Sequence, residues 1–484
     1  MSGGVTQAIA VGEENLPLTG ANPSTTWFLT THQTHTNFGT QAQEVQFQTA
    51  TGFGKKMQAP IPRNGDGITG VTLVVNLPGI KVSQQYMDSV AGATPTHTPQ
   101  HQGDGGVGST SFDFVMNPFG HNFQSGLFGD ATGTFRTDAE ADTAAQTALA
   151  QQHYAVWTNA IGHAMIHEWQ WSIGGTECDK KCGRFLEILD EFGSRPGSDI
   201  GEMIGRFPTV NNLISFWNCE KRTLYIPSKA WFSRNIGHMF PYLAMHYHDL
   251  RTSIQIESLD KLIITSDPSY NGIMYERVDG GGSLTNQDLE ATLLVQYVYL
   301  DGLERKTFAH LKHNYLIQQC QDQNTDIRIS ARPGSTTRHK QTFGLQLAHP
   351  TVALFVQCQQ VRAQELNYHF NYSGDRGEDP IHTMGLKINS QAYFHDQNGY
   401  FYRTHEPNRV HTNTPSSYTY LLSFALFPMR ATQPSGSLNF SKLENVTLEI
   451  LFQAGLGESV LHVFSLFWNI FRFEDGMAGP VYAV

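Results

Sequence analysis

Three groups of residues have the types and spacing that chemistry could use. His163 and His167 lie one helical turn apart and are followed by Cys178 and Cys182, so two imidazoles and two thiolates could furnish a tetrahedral zinc site. Cys-x3-Cys at the end of a strand is loose as a zinc signature, and a helix leading into a strand and turn explains the same residues. His246, His248 and Asp249 alternate as along a strand, which would project both imidazoles to one face as a pair of metal ligands. Structural hydrogen bonding is the preferred reading of these two histidines. Arg63, Asn64, Gly65 and Asp66 form a third motif, in which Asn-Gly supports the positive φ values of a tight turn and the flanking Arg63 and Asp66 can pair. The order is wrong for an Arg-Gly-Asp receptor loop. No site residue is assigned to catalysis, to a cofactor or to a metal.

Known catalytic signatures are missing. The chain has no G-x-S-x-G elbow and no Walker A loop, since the GFGKK at Gly52 lacks the upstream glycine; His167-Glu168 lacks the second histidine of H-E-x-x-H. Gly174-Gly175 and the turn Pro434, Ser435 and Gly436 carry geometry instead of chemistry. Three sequons, at Asn371, Asn439 and Asn445, are candidate glycosylation positions that a chain bypassing the endoplasmic reticulum would not use.

The elements that must position these residues read as strands. With 484 residues the chain can hold two to four domains. Charged residues are 15% and aromatic residues 11%, with 45 Gly and 21 Pro, the mixture of a turn-rich all-β protein. Val71, Leu73, Val75 and Leu77 share one face of a run from Ile68. Tyr420, Leu422, Phe424 and Leu426 alternate, as do Val446, Leu448, Ile450 and Phe452, and the stretch from Tyr420 to Phe452 is expected to be two strands joined by a tight connection at Pro434 to Gly436. Further runs are expected at 44–49, 168–177, 223–232, 245–256 and 289–301, and then at 315–321, 326–331, 352–359, 386–394 and 461–471. Two sets of roughly seven strands suggest two sandwiches.

Helices are few. Thr137 and Glu140 form a capping box for an Ala- and Gln-rich helix expected to run to about Met165, and Phe185, Ile188, Leu189 and Phe192 share one face of a helix from Arg184 to Phe192. Segments 79–136, 265–288, 361–383 and 395–417 are expected as long loops. No strong internal repeat is visible; the nearest echo sets WSIGGTECDK from Trp171 against LKINSQAYFHD from Leu386.

A net charge of −11, with 32 Lys and Arg scattered along the chain, opposes genome coating, which requires phosphate neutralisation; no direct nucleic-acid binding is expected. The N-terminus has neither the basic region nor the apolar core of a signal peptide, and five cysteines without such a signal suit a reducing compartment. The most apolar late stretch, Val460 to Phe473, is interrupted by His462, Asn469 and Arg472 and is too short to span a bilayer, so no transmembrane segment is expected.

The wording of several motifs adds to this. SFAL from Ser423, QPSG from Gln433 and NFS from Asn439 resemble the major capsid proteins of large eukaryotic DNA viruses, of the chlorella-virus and iridovirus type. In chain order the resemblance also takes in LTG at Leu18, TNFG at Thr36, FGKK at Phe53, RNGD at Arg63, IGG at Ile173, YIPSKAWF at Tyr225, PYLAMHYH at Pro241, YLDGLER at Tyr299, HNYLIQQ at His313 and FRFEDGMAGPVYAV at Phe471.

The resemblance implies an all-β fold of two consecutive eight-stranded antiparallel jelly rolls with long loops and a few short helices: an N-terminal arm over 1–26, a first jelly roll over 27–303, a linker at 304–306 and a second jelly roll over 307–484. It further implies a structural, non-enzymatic protein without cofactors. Homotrimers would form pseudo-hexagonal capsomers of an icosahedral shell, with neighbouring capsomers and minor capsid proteins as partners, a place in the virion capsid and assembly in the host cytoplasm. The alternatives are a minor capsid or scaffolding paralogue of the same fold, or a carbohydrate-binding or hydrolytic jelly roll, which would need a carboxylate pair or aromatic platform in one cleft.

Overall fold

The computed structural model describes residues 5–6, 9–10, 34–83, 85–86, 154–194, 199–217, 220–266, 270, 272–278, 282–323, 327–329, 337–374 and 377–482. Sixteen strands carry the architecture. The first eight are β1 (Phe38–Val45), β2 (Lys56–Pro60), β3 (Gly67–Leu77), β4 (Ile166–Ile173), β5 (Thr176–Lys181), β6 (Arg222–Pro227), β7 (Leu250–Ile256) and β8 (Glu290–Leu300). The second eight are β9 (His313–Asp322), β10 (His339–Gly344), β11 (Pro350–Gln360), β12 (Ile381–Ile388), β13 (Gln391–Asn398), β14 (Thr419–Ser423), β15 (Val446–Phe452) and β16 (Ser459–Glu474).

Sheet order is the same in both halves. β1-β8-β3-β6 faces β2-β7-β4-β5, and β9-β16-β11-β14 faces β10-β15-β12-β13. The registers among β2 through β8 and among β9 through β16 are antiparallel. Each half is therefore a jelly roll, in which successive strands alternate between two facing sheets except at the central hairpin, whose two strands are neighbours in one sheet. Shorter strands extend them: the β11 edge gains Leu438–Asn439 and the end of β16 gains Met477–Pro480.

The expected long helix is corrected where it can be seen. Residues 137–153 lie outside the described residues, while Ala155–Trp157 is a strand and only Ile161–Ala164 is helical before β4. Two runs expected as single strands are hairpins: 168–177 folds at Gly174-Gly175 between β4 and β5, and 386–394 folds at Asn389-Ser390 between β12 and β13. Both pairs of turn residues have positive φ, 57° and 88° in the first and 49° and 67° in the second, the geometry of a type I′ turn. The faint echo between the WSIGG and LKINS segments thus falls on equivalent hairpins of the two jelly rolls.

The run expected over 245–256 starts at Leu250, and that over 223–232 ends at Pro227. The polar edge strands β2 and β10, KMQAP and HKQTFG, gave no alternation strong enough to be expected. Parts of the loops expected at 361–383 and 395–417 are helical, at Val361–Glu365 and Phe401–Arg409. Segment 79–136 lies largely outside the described residues.

Tyr420 to Phe452 is not a hairpin. β14 pairs with β11 in one sheet, and β15 pairs with β10 and β12 in the other. Alternation alone cannot distinguish a strand's neighbour in sequence from a strand across the sandwich, because both bury every second residue. Leu426 also leaves the pattern, since β14 ends at Ser423 and Leu426 is 64% exposed.

The core of each jelly roll lies between its sheets. Leu73, Val75, Leu293 and Val295 meet Trp169, Trp171 and Ile254 in the first; Leu354, Val356 and Tyr420 meet Met384, Leu448 and Ile450 in the second. A third cluster joins the halves. Helix α1 (Gly183–Gly193) inserts Phe185, Ile188, Leu189 and Phe192 against Phe355, Leu421, Phe464 and Leu466 on the outer face of the β9-β16-β11-β14 sheet.

This accounts for the apolar character of β16. Its Leu461 and Val463 face the second core while Phe464 and Leu466 meet α1, so neither face is free for water-facing residues. Among the described residues, no helix is long and apolar enough to cross a membrane.

Candidate assembly site

Strand direction sorts the connections. Pro60, Ile173 and Leu250 are aligned by the registers of β2, β4 and β7, while Gly67 lies opposite Val298 at the end of β8. The connections β2–β3, β4–β5, β6–β7 and β8–β9 therefore share one pole. His313 opposes Phe473, Lys312 pairs with Glu474, and the Gly476 carbonyl accepts the His246 and Tyr247 N–H groups, so the end of β16 joins that pole as well. Arg234, in the β6–β7 connection, reaches the Met429 carbonyl in the β14–β15 connection at 3.3 Å.

The RNGD motif sits at this pole as a cradle. Arg63 donates from Nη1 to the His246 carbonyl at 3.1 Å and from Nη2 to the His248 carbonyl at 2.6 Å, and it pairs with Asp249 at 3.1 Å. Asp66 is buried, accepts the Leu300 N–H at 2.9 Å and pairs with Arg305 at 3.2 Å. The expected Arg63–Asp66 pair is thus replaced by two pairs that tie the turn to different connections. Asn64 donates to Gln43 at 2.6 Å, and neither Asn64 nor Gly65 has positive φ. Gly65 is required by proximity, because a Cβ there would lie 2.8 Å from Tyr297 Cβ. These residues line a cavity of about 450 Å³ together with Tyr242, His246, Tyr299 and Arg305.

Arg305 belongs to helix α2 (Gly302–His310), N-capped by Asp301, whose carboxylate accepts the Gly302 N–H at 2.7 Å. Residues 304–306, expected as a short linker, lie inside it. Asp301 followed by helix formers is a start signal that the resemblance obscured.

The possible metal ligands go separate ways. His163 Nδ1 is 2.6 Å from Glu187, whereas His167 Nδ1 is 2.8 Å from Glu257, and the Cys178 thiol donates to the Thr176 carbonyl at 3.4 Å. His246, His248 and Asp249 precede β7 instead of alternating along it, and the two histidines serve Arg63 through their carbonyls. Among the described residues, no three His, Cys, Asp or Glu side chains converge as metal ligands.

A buried ion network that no sequence spacing revealed anchors α1. Arg206 bridges Glu187 at 2.8 Å and Asp190 at 2.7 Å, and Lys229 approaches Asp190 at 3.4 Å. Burial alone would raise the Glu187 carboxyl, but the His163 hydrogen bond and the Arg206 guanidinium outweigh it and hold the group down at about 2. Glu191 is raised, by burial and then by the Glu187 charge, and accepts hydrogen bonds from Ser416 at 2.7 Å and Ser417 at 2.6 Å in the second jelly roll. Only the acids Glu187, Asp190 and Glu191, set among the apolar residues of α1, could have pointed to it.

Gly174 φ leaves its Cα against the His248 ring, where a Cβ would lie 2.7 Å from Nδ1. The Pro434, Ser435, Gly436 segment does not join two paired strands but folds back on the chain after β14: Ser435 accepts the Leu426 N–H through its carbonyl and the Phe427 N–H through Oγ. Gly436 has φ 136°, and a Cβ there would approach the Phe424 carbonyl oxygen at 2.8 Å. Gly436→Val is expected to lose roughly 1–3 kcal/mol from backbone strain, read as a lower unfolding midpoint, and parental melting would overturn this. Of the sequons, Asn371 is buried and its amide oxygen accepts the Ser373 N–H at 3.0 Å, whereas Asn439 and Asn445 are exposed.

The comparisons agree with the fold. The large eukaryotic DNA virus major capsid protein model matches residues 304–479, and the major capsid protein N-terminus model matches 26–102 and 134–301. Capsid protein 1 of Acanthamoeba polyphaga mimivirus is 28% identical over 73% of this chain, and the chain spans about half, 48%, of that relative. The major capsid protein of Paramecium bursaria Chlorella virus 1 is 24% identical, with both chains fully covered. The capsid structure of PBCV-1 superposes with a TM-score of 0.67 at 20% identity, covering 95% of this chain and all of the other. RNGD, IGG, PYLAMHYH, YLDGLER and FRFEDG, far apart in sequence, meet at one pole; LTG lies outside the described residues. With two jelly rolls of one topology and family models matching both, the chain belongs to the major capsid proteins of large eukaryotic DNA viruses.

Proposed function

We propose that the chain is the repeating tile of an icosahedral shell, a homotrimer whose six jelly rolls form a pseudo-hexagonal capsomer. The observation that carries this is the repetition of one eight-strand order within a single chain, with the halves joined through α1. Two similar sandwiches per subunit turn threefold symmetry into a nearly sixfold outline, and closed symmetry limits the assembly to a discrete tile. The role is mechanical, with no catalysis, cofactor or genome contact.

In this reading the pole that gathers RNGD, α2 and the end of β16 is the base of the tile, where minor capsid proteins dock, and assembly takes place in the host cytoplasm. The opposite pole presents loops. Light scattering of the purified full-length chain is expected to give a trimer at micromolar concentration, and negative-stain images are expected to show six-lobed particles. A stable monomer would overturn the reading.

A further inference from the structure

Two cysteines from different jelly rolls border the same junction. Cys182 is the residue before α1, and Cys320 lies on β9. Both pack on the apolar cluster built by α1 and the outer sheet face, and both border one crevice of about 640 Å³. Both lie near the same stretch of β16: Cys320 opposes Leu466, and the ring of Phe185, one helical turn after Cys182, lies 5.9 Å from that of Phe464 two residues along that strand. Gln319 donates to the Cys178 carbonyl at 2.6 Å, which holds β9 against β5 at this level. Both thiols are reduced in this structure.

We propose that Cys182 and Cys320 form a disulfide when the protein meets a low-molecular-weight disulfide oxidant, locking the two jelly rolls to each other. The Cys182 thiolate attacks a sulfur of glutathione disulfide and expels one glutathione thiolate; the Cys320 thiolate then attacks the mixed disulfide at the Cys182 sulfur and expels the second. One S–S bond is broken and one formed, the two cysteines are oxidised, the oxidant is reduced, and the two thiol protons end on the two glutathiones. Cys182 is the better first nucleophile. Burial raises its thiol, but the Phe185 and Arg184 backbone N–H groups at the start of α1 and the Arg184 charge work against that rise. Cys320 is raised further by burial and by Cys182 itself, so closure is slow. A cytosol that keeps thiols reduced would leave the pair open, and an oxidising exterior would close it.

The full-length protein, incubated with glutathione disulfide at pH 8 and then alkylated, is expected to yield a Cys182–Cys320 peptide by mass spectrometry. Its melting temperature should rise by about 5 °C, because the bridge closes a loop of roughly 140 residues, and dithiothreitol should reverse the rise. Cys320→Ser, which keeps the volume and the fold, should show neither the peptide nor the shift. Recovery of only Cys178–Cys182 or only glutathione adducts overturns the proposal, as does an equal rise in Cys320→Ser.

Discussion

Arg206→Met should lower the stability of the chain by about 3–5 kcal/mol, because it leaves Glu187 and Asp190 buried beside the apolar face of α1 without their shared cation. Desolvated carboxylates cannot recover that attraction from water, and His163 and Lys229 compensate only in part. Denaturant unfolding of the full-length protein measures the loss. Adding Glu187→Gln and Asp190→Asn to the same chain should recover much of it, since the uncompensated charges are then gone. A loss below 1 kcal/mol for Arg206→Met alone would mean that the network contributes nothing to the junction.

The same network sets a sign for acid. Glu187 is held at about 2 against an ordinary 4.5, so its stabilisation is complete above pH 4.5 and fades as pH falls toward 2. Glu191 acts in the opposite sense, its raised carboxyl gaining from protonation. Arg206→Met should therefore flatten the acid limb of the stability profile.

Phe185→Ala is the second large effect expected, about 3–5 kcal/mol for a fully buried ring. Phe185 lies 6.4 Å from Phe355 and 5.9 Å from Phe464, and Phe192 lies 5.2 Å from Phe355, so the vacated space is walled by rings already held by the β9-β16-β11-β14 sheet and by α1. It cannot collapse easily. Because the lost contacts belong to the interface between the jelly rolls, limited proteolysis should cut near α2 sooner than in the parent. Parental melting and digestion would show that α1 does not hold the halves together.

What the sequence showed follows from which forces are local. The α1 stripe, the alternation of β3 and the length of β15 are written in neighbouring residues, and β15 occupies 446–452 as the alternation required. Strand partnership is not local: the same alternation serves β14 and β15 whether they pair or face each other across a core. Arg63 illustrates the limit. Asp66 is three residues away and was its natural partner by distance along the chain, yet the fold brings Asp249 and two carbonyls to it, and gives Asp66 to Arg305. The Glu187–Arg206–Asp190 network also depends on tertiary approach, so only its buried acids left a trace in the sequence. The motif resemblance supplied the architecture that periodicity alone left open, and in doing so it hid α2, a nine-residue helix expected as a connection.

Pairing β1 with β8 and β2 with β7 has a consequence for synthesis on the ribosome. The partner of Phe38–Val45 is not made until Glu290–Leu300 leaves the exit tunnel, a wait of roughly ten seconds to a minute at ordinary elongation rates. Throughout that interval β3, which belongs between β8 and β6, has an open edge, and the apolar stripe of α1 has no sheet to cover because β11 and β16 come later still. Nascent chains of this topology spend most of their translation with unpaired edges and a bare helix face, the surfaces that chaperones bind and that neighbouring nascent chains on one message can exchange. Each sandwich can close only once its last strand has arrived, however stable the finished fold is.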